Sequence, residues 1–137
     1  MADGRGRMTP SFTRSFTAEP RHIDEMGHVN NAVWVQWIQD MATAHWDAVA
    51  RAEDRARYVW LVVRHEIDYR GNIDVGQSVE ATTWIEAGAR GAKSLRRVDF
   101  RNAAGKVIVS AATTWAMLER ETGRPARVRP EVIAPFV

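Results

Sequence analysis

The 137-residue chain contains no cysteine, which excludes disulfides, cysteine-ligated zinc, iron–sulfur clusters and a thiolate nucleophile at once. Covalent chemistry is left to oxygen and nitrogen. No run approaches the roughly 20 consecutive apolar residues that span a bilayer, and the polar opening MADGRGRMTP has no apolar stretch after its arginines. Neither secretion nor membrane insertion is expected, and the compartment that follows is the cytoplasm. Lysine is nearly absent, since 17 of the 19 basic residues are arginine, and 17 acidic residues leave a formal charge of only +2. So weak a field implies no nucleic-acid partner. The four histidines, His22, His28, His45 and His65, show neither H-x-x-x-H nor H-E-x-x-H spacing, so no metal is expected, and no cofactor.

What is present is enough apolar surface for one domain: 45% hydrophobic and 26% charged residues describe a globular chain, with room for a single unit. Residues 1–10, rich in Gly, Arg and Asp, read as a flexible N-terminal segment. Residues 11–137 read as the domain. Residues 11–18 alternate Phe12, Arg14 and Phe16 with Thr13, Ser15 and Thr17, the period of a strand. Residues 19–31 have proline, glycine, asparagine and charge without an apolar period, which is a loop. Beyond it, Val33, Trp34, Trp37, Ile38, Met41, His45, Val49 and Ala52 recur every three or four residues. That stripe predicts one long helix ending near Arg57, with Asn30 or Asn31 as its N-cap.

After the helix the period switches to two, predicting strands over residues 59–69, 78–87, 94–102 and 106–118 as consecutive antiparallel neighbours. A tail with Pro125, Pro130 and Pro135 reads as an irregular cover. The class is α+β, one helix laid on a sheet of about five strands. The last long strand is apolar at both parities, with Val109, Ala111 and Met117 on one and Ala112, Ala116 and Leu118 on the other. Both sheet faces then want cover, which predicts a homodimer or a dimer of dimers.

The loop Asp24-Glu-Met-Gly27-His28-Val-Asn30-Asn31 runs into the helix, whose first N–H groups are unpaired donors with partial positive charge. A carboxylate turned back by Gly27 beside such donors is a hydrolytic pair. Taken with His22, this segment resembles the D-x-x-G-H-V-N-N signature of hot-dog-fold enzymes of the 4-hydroxybenzoyl-CoA thioesterase-like group. Trp34 and Trp37 on the helix, Glu66-Ile-Asp68-Tyr69, Val75-Gly76, the Asn102 to Gly105 turn and Thr122-Gly123-Arg124-Pro125 follow in the family's order.

The resemblance implies a hot-dog fold, a long central helix wrapped by a five- to six-stranded antiparallel sheet, and an acyl-CoA thioesterase, with an acyl-carrier-protein substrate or a non-catalytic acyl-thioester binder as alternatives. It places the catalytic carboxylate on Asp24, as nucleophile or as general base, and the oxyanion donor on the backbone N–H of Asn31. Gly27, as the turn, and His28, which either positions a water or fixes the loop, are the further catalytic candidates. Two departures stand out. Many relatives have an aspartate where this chain has His22, and plant acyl-carrier-protein thioesterases have an asparagine where it has Met26 and a glutamate near Asn72. For the substrate, Met26 and Trp34 are candidate acyl contacts, while Arg90, Lys93 and Arg96, in a stretch with a local charge of +4 from Arg90 to Arg101, are candidates for coenzyme A phosphates.

Overall fold

The computed structural model describes residues 10–86 and 88–137, so most of the segment read as N-terminal and flexible lies outside the described residues. Strand β1 (Phe12–Thr17) leads through a 3-10 turn at Pro20–His22 into helix α1 (Asn31–Val49). A short helix α2 (Ala52–Arg57) then feeds β2 (Tyr58–Tyr69), β3 (Ser78–Ile85), β4 (Lys93–Arg101) and β5 (Val107–Glu119), and the tail carries the helical turn α3 (Pro130–Ile133) and a 3-10 turn at Ala134–Phe136. No helix among the described residues is long and apolar enough to cross a membrane.

Helix α1 begins where the apolar stripe begins because the Asn30 side chain accepts the Ala32 N–H at 2.9 Å, satisfying one orphan donor. The stripe does not continue to Arg57 as one helix. Ala50 and Arg51 adopt extended ψ angles of 148° and 145°, and Arg51 pairs bidentately with the buried Asp54 carboxylate at 2.9 and 3.1 Å. That pair restarts the helix in a new direction, one that leads into β2. Trp34, Trp37, Ile38, Met41, Ala42 and His45 form the buried face of α1, and the large apolar members each contribute roughly 1.5–3 kcal/mol by leaving water.

The five strands form one antiparallel sheet in the order β1-β3-β4-β5-β2. This corrects the expectation of consecutive neighbours, because β2 pairs with β5 instead of β3. The physical reason is that residues 70–77 are a crossing connection whose tight turn, closed by the Gln77 N–H on Asp74 O at 3.0 Å, lies just before β3 and does not reach back to β2. Gly71 makes the start of that crossing possible, since a Cβ there would stand 3.0 Å from the Ile108 side chain. Pairing assigns the faces: Val79, Ala81, Val98, Phe100, Val109 and Ala111 face α1 in one cluster. The tail covers the far end of the same layer, with Val128 and Val132 packed on Tyr58 and Met117, and Phe136 edge-on to His45 at 4.8 Å.

Candidate active site

The loop after β1 is a small hairpin whose base is fixed before its tip. His22, buried, lies edge-on to Trp37 with ring centroids 5.4 Å apart and accepts the Glu19 N–H at its Nδ1. Ile23 and Val29 pair across the base, the Asn30 N–H donates to His22 O at 2.9 Å and the Asp24 N–H to His28 O at 2.8 Å. Residues 24–28 are left as the tip.

Within that tip Asp24 is half-buried. Its Oδ1 accepts the N–H groups of Met26 at 2.9 Å and His28 at 3.2 Å, the self-closing turn that aspartate favours. Its carbonyl accepts the Gly27 N–H at 3.1 Å, and Gly27 takes φ +76°, a conformation that glycine adopts without strain. Among the described residues Oδ2 has no partner, so one oxygen anchors the carboxylate and the other is free. The Asn31 N–H, first in the helix, also has no partner among the described residues, and the N-terminus of α1 favours negative charge beside it. His28 is exposed and its ring makes no hydrogen bond among the described residues; Met26 is 78% exposed.

The sequence reading missed Asn72. Its Oδ1 accepts the Val29 N–H at 3.0 Å and the Ile73 N–H at 2.9 Å, and its Nδ2 reaches Val29 O at 3.5 Å. The brace joins the crossing after β2 to the candidate hairpin. The resemblance marks only the neighbourhood of Asn72, where plant acyl-carrier-protein thioesterases carry a glutamate, and no local pattern points to this contact. Because Val29 is buried, Asn72→Ala leaves its N–H without a partner, at a cost of about 1–3 kcal/mol. Urea denaturation should show that loss, and Asn72→Asp, which keeps the acceptor, should recover most of it.

The other candidate contacts do not converge on the loop. Trp34 is fully buried, perpendicular to Trp37 and Phe100 at 5.1 Å each, so it is core and not an open acyl contact. Arg90, on the turn before β4, and Lys93, the first residue of β4, are exposed, and their backbones bond to each other. Arg96 is corrected: it lies on the inner face of β4 opposite Thr113, whereas Lys93 lies on the outer face opposite Ala116. Only 5% exposed, it cannot join Arg90 and Lys93 on one phosphate. Arg97 pairs with Glu86 at 2.7 Å and Arg101 with Asp99 at 4.0 Å, which leaves the charges of Arg90, Lys93 and Arg96 without an acidic partner among the described residues. Glu66, in the motif at the end of β2, lies on the outer face against Arg64. His65 is on the inner face, bonded to Thr113 Oγ1 at 2.8 Å.

Arg96 instead lines a cavity of about 310 Å³ between the second half of α1, α2 and the inner sheet face, with Trp46, Trp60, Trp115 and Ile85 among its walls. The cavity and the hairpin lie toward opposite ends of α1.

The profile of the acyl-ACP thioesterase N-terminal domain matches residues 9–136. The chain belongs to that family. A chloroplastic acyl-[acyl-carrier-protein] hydrolase, FATB3 of Cuphea viscosissima, is 26% identical over 83 residues, 58% of this chain and 20% of that protein. An acyl-ACP thioesterase from Bacteroides thetaiotaomicron superposes with a TM-score of 0.79 at 22% identity, over 92% of this chain and 53% of that one. A 1,4-dihydroxy-2-naphthoyl-CoA thioesterase from Synechocystis superposes with a TM-score of 0.77 at 12% identity, over 93% and 96%. The hot-dog fold implied by the sequence signature is therefore the fold of this acyl-ACP thioesterase-family domain. The domain spans about a fifth of the Cuphea protein and about half of the Bacteroides one.

Proposed function

We propose that this chain hydrolyses acyl thioesters to a carboxylic acid and a free thiol, with Asp24 as the catalytic carboxylate. The observation that carries the reading is the division of labour in Asp24: Oδ1 is held by two backbone N–H groups, while Oδ2 is left to act. It acts as nucleophile on the thioester carbon or as base toward water. The Asn31 N–H, unpaired at the start of α1, is the donor for the oxyanion, a contribution of about 3–4 kcal/mol in a dry site. His28 and Met26, exposed at the same tip, are the nearest side chains to an incoming thioester. The family match favours an acyl-carrier-protein substrate, and exposed Arg90 and Lys93 suit an anionic carrier or the phosphates of coenzyme A. Thiol release from acyl-CoA and acyl-carrier-protein panels tests this reading, and no release from either would refute it.

A second copy completes the molecule in this reading. Beyond β5, the outer edge of β2 is unpaired among the described residues, and it exposes Leu61 at 56% and Val63 at 49%. An unpaired apolar edge is a template for another strand. Light scattering at micromolar concentration should give at least twice the protomer mass, and Leu61→Lys with Val63→Lys should lower it; a wild-type monomer would remove the dimer.

A non-catalytic acyl-thioester binder is the second reading, because the matched family domain is only part of the longer proteins.

A further inference from the structure

The cavity at the far end of α1 is not built as a plain hydrocarbon slot. Arg96 on its wall is 5% exposed, and no carboxylate among the described residues pairs with it. Its Nη1 donates to His45 Nδ1 at 2.8 Å and to Thr83 Oγ1 at 3.0 Å, both uncharged acceptors. Nε and Nη2 make no hydrogen bond among the described residues. Those two groups form the side-on edge of the guanidinium, the edge that takes a carboxylate bidentately. A buried cation without an anion is costly unless something supplies one.

Two further features of the same cavity agree. Arg55 and Arg120 also line it, and among the described residues they bond only to backbone carbonyls, Arg55 to Ala50 and Arg120 to Ala56, Arg55 and Tyr58. The lining contains a single carboxylate, Asp47, which is exposed. The charge balance inside is positive, while the remaining wall is largely aromatic and aliphatic.

We infer that this cavity binds a carboxylate-terminated hydrocarbon chain, the carboxylate on the free edge of Arg96 and the chain along Trp46, Trp60 and Trp115. Two sources share that chemistry. One is a free fatty acid. The other is the far carboxylate of an acyl thioester made from a dicarboxylic acid, a source that rests on the proposed hydrolase activity.

Calorimetric titration of the whole chain with decanoate and with 1-decanol separates carboxylate recognition from simple apolar burial. Decanoate should bind about tenfold tighter or more, since a hydrogen bond to a charged group is worth that much, and Arg96→Gln should bring the two within about twofold. Equal wild-type affinities would overturn the inference. Should Arg96→Gln fail to fold, the wild-type ratio decides alone. Turnover distinguishes the sources, with a sixteen-carbon chain because His45, which holds Arg96, lies about 21 Å along α1 from Asn31 at about 1.5 Å per residue: an Arg96-dependent preference for the CoA monothioester of hexadecanedioic acid over hexadecanoyl-CoA assigns the carboxylate to the substrate. A preference for hexadecanoyl-CoA, with inhibition by decanoate, assigns it to the free acid. Decanoate bound through Arg96 without turnover of any thioester would remove the hydrolase reading and leave this site standing.

Discussion

Replacing Asp24 by Asn is expected to lower thioester turnover by about 10²–10⁴-fold, the range that a positioned acid or base contributes, with little change in KM. The side-chain oxygen of asparagine can keep both bonds that Oδ1 now accepts, from Met26 at 2.9 Å and His28 at 3.2 Å. The hairpin therefore keeps its shape. What disappears is the charge and the lone pair at Oδ2, the atom without a partner, so the loss falls on kcat and not on the assembly of the site. The Asn31 donor is backbone and survives the change, leaving residual stabilisation of the oxyanion. The assay is thiol release from matched acyl-CoA and acyl-carrier-protein substrates, with acyl-thioester binding followed separately. A variant that keeps more than a tenth of the wild-type kcat would reduce Asp24 to a turn residue, and a wild type that binds but never turns over would favour the binding module.

The elements were legible in the sequence because each kept a clean period. The strand read over residues 59–69 is Tyr58–Tyr69, and the one read over 94–102 is Lys93–Arg101. Alternation reports which face a side chain takes and is silent about which strand lies alongside, so β2 was placed beside β3 when it belongs beside β5. Parity did carry the position of Arg96. It shares the inner face of β4 with Val98 and Phe100, but the charge run around it drew the reading toward phosphate. Helical spacing likewise ran on through Ala52 although Ala50 and Arg51 break the helix. In the site, the Asp24 turn and the Asn30 cap are local and could be read from neighbours in the chain. The Asn72 brace joins residues 43 apart and depends on how the crossing after β2 is folded, which no local pattern encodes.

Acidification from pH 7 to pH 4 is expected to cost the fold about 3 kcal/mol through His45. Burial first, and the Arg96 charge second, hold its pKa at about 4 against an ordinary value of 6.5. The ring is stacked 5.1 Å from Phe12, lies edge-on to Phe136, and accepts the Arg96 N–H at Nδ1, so only the neutral ring fits. Protonation would set two cations against each other in a dry layer. Because the folded value lies below the unfolded one, the unfolded chain takes up the proton first. The contribution is complete above about pH 6.5, shrinks as the pH falls, and is gone near pH 4. His65 is lowered by burial too and adds in the same direction. Urea midpoints measured across this window should slope downward with acid in the wild type and more shallowly in His45→Asn, whose Oδ1 stands where Nδ1 accepted and does not titrate. That variant starts lower, since it loses ring packing against Phe12 and Phe136, and so the slope is the quantity to compare. Identical slopes would place the acid sensitivity elsewhere and leave the neutral His45 acceptor without energetic weight.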